Sequence, residues 1–79
     1  MIHALIIDDD SNLRQGLKQM LQHLAPNIQI VGEADDVKGG VELLHQKQPQ
    51  VVFLDIQLTD GTGFDILENY QNLAILIYT

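Results

Sequence analysis

Apolar positions along this chain fall into short segments of strand length that alternate with stretches of helical period. Residues 2–7, Ile-His-Ala-Leu-Ile-Ile, form an apolar run without alternation, the pattern of a strand buried on both faces. Next, "SNLRQGLKQMLQHL" sets Leu13, Leu17, Met20, Leu21 and Leu24 on one helical stripe. Asp10 or Ser11 can cap its first turn, and Pro26 stops the helix soon after Leu24. "IQIVGEA" alternates and then meets Gly32, which predicts a short strand from Ile28 to Val31.

"DDVKGGVELLHQKQ" repeats the helical pattern with Val37, Val41 and Leu44, capped by Asp35 or Asp36 and ended by Pro49. Gly39 and Gly40 weaken that helix by about 1 kcal/mol each. "QVVFLD" is again a continuous apolar run with an Asp at its carboxyl end, and "IQLTDGTG" reads as loop with a turn at Asp60 and Gly61. "FDILENY" predicts a short helix, and "LAILIY" a fourth strand leading to Thr79. Strand and helix therefore alternate from end to end. Short connections between such units imply right-handed crossovers and a parallel sheet, an α/β doubly wound fold.

Length allows one domain: 79 residues bury only roughly 60% of the surface the unfolded chain exposes. The chain lacks cysteine, so disulfides and thiolate metal sites are excluded. Eleven acidic residues against four basic ones give a net charge of −7, which disfavours direct nucleic-acid binding. No apolar run approaches the roughly 20 residues of a membrane helix, and the start carries no signal-peptide pattern, so the expected location is cytoplasmic.

Candidate chemistry comes from the acids at the strand ends. Asp8 and Asp9 follow the first strand and Asp55 closes the third. In an open α/β sheet the carboxyl ends of the strands share one edge, where ligands bind. If the second strand pairs on the far side of the first, the first and third are neighbours about 4.8 Å apart. Three carboxylates would then repel in one pocket, and a hard divalent cation with oxygen ligands, Mg²⁺, relieves the conflict. The same geometry suits Asp55 as a nucleophile towards a phosphoryl group, with Thr79 placing a hydroxyl on a phosphoryl oxygen. Asp10 reads as a cap. His3, His23 and His45 lie on three separate elements without ligand spacing.

The segments "ALIIDDDSNLRQGLKQML", "IVGEADD" and "VVFLDIQLTDGTGFDIL" resemble the receiver domain of two-component response regulators. "GEADD" and "DGTGFDIL" resemble most the regulators with LytTR-type output. The resemblance implies a flavodoxin-like sheet of order 2-1-3-4-5, with residues 1–79 forming one receiver domain that is incomplete at its C-terminus. It implies a phospho-acceptor in signal transduction, not an enzyme, in which Asp55 takes phosphate from a sensor histidine kinase. Asp8 and Asp9 would form the acidic pocket, and Asp9, Asp55 and the main-chain carbonyl of Gln57 would hold Mg²⁺. Thr79 matches the switch hydroxyl.

This chain has Thr59 where the family usually has Pro, and it stops before the family's fifth strand and its Lys. An alternative reading is a receiver-like fragment that serves only as an interaction module. A phosphatase-type hydrolase would want a second Asp two residues after Asp55, where this chain has Gln57. The exposed apolar edge expected at the strand from Ala74 to Tyr78 predicts a homodimer or higher oligomer.

Overall fold

Four strands pair in parallel in the computed structural model, which describes residues 1–68 and the backbone of 74–78. In chain order the first three are β1 (Ile2–Ile7), β2 (Ile28–Ala34) and β3 (Val51–Asp55). A short antiparallel hairpin of β4 (Gln57–Leu58) and β5 (Gly61–Thr62) comes next, and β6 (Ala74–Tyr78) completes the parallel sheet. Helix α1 (Ser11–Leu24) follows β1, α2 (Val37–Lys47) follows β2, and α3 (Gly63–Leu67) follows the hairpin. Spatial order is β2-β1-β3-β6, so β2 does lie on the far side of β1, and β6 is an edge among the described residues.

Alternation along β1 divides the core between the two faces of the sheet. Leu5 and Ile7 join Val52, Leu54, Leu44, Leu58 and Ile66 on the side of α2 and α3. Ala4 and Ile6 join Phe53 on the other side, where Leu17 and Leu21 of α1 pack against them. The predicted α1 boundaries hold, but the five-residue stripe does not pack as a unit. Leu13, Met20 and Leu24 are exposed. At about 100° per residue, Leu17 and Leu21 lie to one side of the stripe, and α1 meets the sheet on that side.

Gly32 does not end β2. Ala4 pairs with Ile30 and Leu5 with Gly32, so Val31 is the extra residue of a bulge and the strand runs on to Ala34. The bulge turns both Val31 and Gly32 towards the α2 side, where a side chain on Gly32 would press on Leu5 and Leu43. A Cβ on Gly32 would sit 3.1 Å from Leu5 Cδ2 and 3.2 Å from Leu43 Cδ2. The expected loop after β3 likewise contains more order than predicted, since β4 and β5 enclose a two-residue turn at Thr59 and Asp60. The third helix starts at Gly63, ahead of the expected Phe64. The end of the predicted "FDILENY" helix, at Asn69 and Tyr70, lies outside the described residues.

Gly63 is needed because β3 and α3 touch there. A Cβ would lie 2.8 Å from the Asp55 carbonyl oxygen and 2.9 Å from Leu54 Cγ, and the backbone atom cannot move aside. Gly63→Ala is therefore expected to cost about 1–3 kcal/mol of stability through overpacking. Gly16, on the exposed side of α1, has nothing within 4 Å of the position a Cβ would take, so Gly16→Ala should gain about 0.5–1 kcal/mol from helix propensity. Thermal denaturation of the two variants checks both signs.

Candidate functional site: a three-carboxylate pocket at the sheet edge

The pairing of β1 with β3 places Ile7 opposite Leu54, so Asp8 and Asp55 are the next residues on neighbouring strands. One carboxylate oxygen each from Asp8, Asp9 and Asp55 lies within 4.8 Å of the others. Asp8 is fully buried and Asp55 nearly so, while Asp9 faces solvent. The three acids read from the sequence as one pocket are one pocket.

Local hydrogen bonds orient each side of it. Asp8 Oδ1 accepts from the Asp10 amide at 2.9 Å, and the Asp8 amide donates to the Ala34 carbonyl at 3.0 Å, which fixes the end of β1 against β2. The Arg14 guanidinium donates to the Asp8 carbonyl oxygen and also reaches Glu33 on β2 at 3.2 Å. Lys18 holds the second Glu33 oxygen at 2.7 Å. Sequence reasoning misses Arg14 as a site residue, because its contact depends on how the first turn of α1 folds back over β1. Asp10 is the α1 N-cap, accepting from the amides of Asn12 and Leu13 at 2.9 and 3.3 Å. It has the capping role expected of it.

On the β3 side, Asp55 Oδ1 accepts from the Gln57 amide at 3.2 Å. Burial pushes the Asp55 carboxyl above the ordinary carboxylate range, the Gln57 hydrogen bond partly offsets this, and the charges of Asp8 and Asp9 push it further up. Gln57 thus meets Asp55 through its backbone amide. Thr79 lies outside the described residues.

Asp60 does more than occupy a turn. Its Oδ1 accepts from the Val37 amide at 2.7 Å and its Oδ2 from the Lys38 amide at 3.2 Å, at the first turn of α2. These hydrogen bonds hold its carboxyl below the ordinary range. No local sequence signal marks this contact, which spans 23 residues. Asp36, the α2 N-cap, accepts from the Gly39 amide at 2.7 Å.

Residues 4–79 match the response regulator receiver domain. The chain belongs to that family. It is 44% identical over 81 residues to the sensory transduction protein LytT of Bacillus cereus, an alignment covering 99% of this chain and 32% of that protein. The LytT protein of Enterococcus faecalis is 40% identical over 73 residues, covering 91% of this chain and 29% of the relative. Both agree with the LytTR-type resemblance of "GEADD" and "DGTGFDIL". This receiver chain thus spans about a third of the length of these curated relatives. Among solved structures, the MaeR response regulator bound to beryllium trifluoride superposes with a TM-score of 0.90 at 25% identity, covering all of this chain and 67% of MaeR. The anti-anti-sigma factor PhyR from Bartonella quintana has a TM-score of 0.81 at 31% identity, covering 96% of this chain and 32% of PhyR. The fold is the α/β flavodoxin-like fold of receivers, as expected from the sequence.

The raised Asp55 carboxyl makes a signed prediction for the metal-free receiver. A group whose folded pKa exceeds its unfolded one costs stability when ionised, and the cost fades as pH falls through the folded pKa towards the ordinary value. Asp55→Asn keeps the acceptor for Gln57 and removes the charge. In chelator at neutral pH it should raise Tm by a few degrees, about 0.5–1 kcal/mol in a domain of this size. The advantage should shrink on acidification. Melting curves of both proteins from pH 7 to pH 4 check it.

Proposed function

We propose that this chain is a phospho-acceptor of two-component signalling, in which Asp55 receives a phosphoryl group from the phosphohistidine of a sensor histidine kinase. The observation that carries the reading is the convergence of Asp8, Asp9 and Asp55 at the carboxyl edge of a receiver sheet. Membership of the receiver family supports phosphorelay signalling in general, and the assignment of roles to individual residues is our own. Among the described residues, no helix is long and apolar enough to cross a membrane. We place the domain in the cytoplasm, where the kinase's phosphohistidine is available.

The donor set fits a hard divalent cation. Three carboxylates offer oxygen ligands only, two of them are buried, and the crowding of like charge around Asp55 is relieved by a cation. Asp9 and Asp55 would hold Mg²⁺ together with the main-chain carbonyl of Gln57, and Asp8 would complete the acidic pocket. Bound there, Mg²⁺ would neutralise charge on the transferred phosphoryl oxygens. The residues of the chain do the rest. Asp55, fixed at Oδ1 by the Gln57 amide, would attack phosphorus through its other carboxylate oxygen. As the new O–P bond forms, the N–P bond of the phosphohistidine breaks and its electron pair returns to the imidazole. The product is an aspartyl phosphate.

Thr79, matching the family's switch hydroxyl, would bond a phosphoryl oxygen of that product. The MaeR structure bound to beryllium trifluoride supports the choice of chemistry, since a fluoroberyllate is a tetrahedral group of phosphoryl size. Incubation with a small phosphodonor and Mg²⁺, followed by intact mass measurement, tests the proposal. Wild type should gain one phosphoryl group and Asp55→Asn none. An unmodified wild type, or equal modification of the variant, would contradict it.

A further inference from the structure

We infer that Asp60 is a positioning residue for the phospho-acceptor loop: its carboxylate clasps the first turn of α2 and so holds the backbone that orients Asp55. The inference rests on the function proposed above and adds to it a residue with no place in the pocket. Asp60 is exposed and more than a strand length in sequence from α2, yet both of its oxygens accept backbone amides there, from Val37 and Lys38. Exposed carboxylates are ordinarily solvated; one that takes two orphan donors of a foreign helix fixes its own backbone to that helix.

What Asp60 fixes is the loop between β3 and α3. It sits at the turn of the β4–β5 hairpin, whose first residue, Gln57, donates to Asp55 Oδ1. The hairpin is closed at its base by the Gly63 amide on the Ile56 carbonyl at 2.7 Å and beside it by the Thr62 amide on Asp65 Oδ2 at 2.9 Å. Gly61 is pressed between α2 and α3: a Cβ there would lie 3.1 Å from Val37 Cγ2 and 2.5 Å from Asp65 Oδ2. Two strands of two residues are too short to hold a fixed geometry alone. Burial of Leu58 in the core anchors β4, and the α2 amides anchor the turn at the far end of the hairpin. The placing of Gln57 and of the Asp55 oxygen it orients rests on both.

A helix-capping role without positioning is the competing account, and Asp36 separates the two. Asp36 caps the same end of α2 through the Gly39 amide but lies outside the loop. Asp60→Ala, Asp60→Asn and Asp36→Ala are compared with wild type by thermal melting, amide hydrogen exchange at Gln57 and Gly63, and the rate of phosphorylation by a small phosphodonor with Mg²⁺. Asp60→Ala and Asp36→Ala should both lower Tm. Only Asp60→Ala should speed exchange at Gln57 and Gly63 by about tenfold and slow phosphorylation several-fold. Asp60→Asn, which keeps one acceptor oxygen, should fall between.

Exchange at Gln57 and Gly63 that rises equally in Asp36→Ala, or in neither variant, would overturn the inference. So would an unchanged phosphorylation rate in Asp60→Ala beside an active wild type. A wild type that takes no phosphoryl group would instead refute the proposed function, while exchange would still decide whether Asp60 holds the loop.

Discussion

Everything at the functional edge of this molecule depends on the parallel pairing of β1 with β3. That pairing brings together acids that repel, because the residues following Ile7 and Leu54 are Asp8 and Asp55, and Asp9 closes the group. The fold holds them there with apolar burial on both faces of the sheet and with backbone donors aimed at the carboxylates. Asp8 is held by the Asp10 amide and Asp55 by the Gln57 amide. The apo domain carries the electrostatic cost in the raised Asp55 carboxyl. Under the proposed function the crowded carboxylates would become an advantage, since they already stand together where a cation and a phosphoryl group would bind.

The supports of the pocket are spread over elements that are distant in sequence. Arg14 of α1 grips the Asp8 carbonyl and ties it to Glu33 of β2. Gly63 lets α3 start against the Asp55 carbonyl. Asp60 reaches α2 from the hairpin turn. Exposed ion pairs such as Lys18 with Glu33 add little stability, and their contribution here is to fix geometry at the strand ends.

Legibility from sequence follows the range of the interactions. Strand and helix boundaries set by local pattern, such as α1 from Ser11 to Leu24 with Asp10 as its cap, are readable because propensity and capping act within a few residues. The acidic pocket is readable because strand order can be reasoned from topology, and strand order alone brings Asp8, Asp9 and Asp55 together. Gly32 misleads, since a glycine that ends a strand and one that accommodates a bulge look alike until the partner strand is known. The α1 stripe overstates its contact because periodicity gives a face but not how far across it the sheet reaches. Asp60 and Arg14 are illegible for a third reason: the partners that matter are backbone groups, which leave no mark of their own in a sequence.

The central claim is that the three carboxylates form one cation pocket, and Mg²⁺ titration calorimetry on wild type and Asp9→Asn tests it most directly. Asp9 is solvent-exposed, so its amide variant should fold normally. The account predicts weak but measurable binding to wild type and a loss of about tenfold, on the order of 1.4 kcal/mol, in Asp9→Asn. Indistinguishable curves for the two proteins would contradict it.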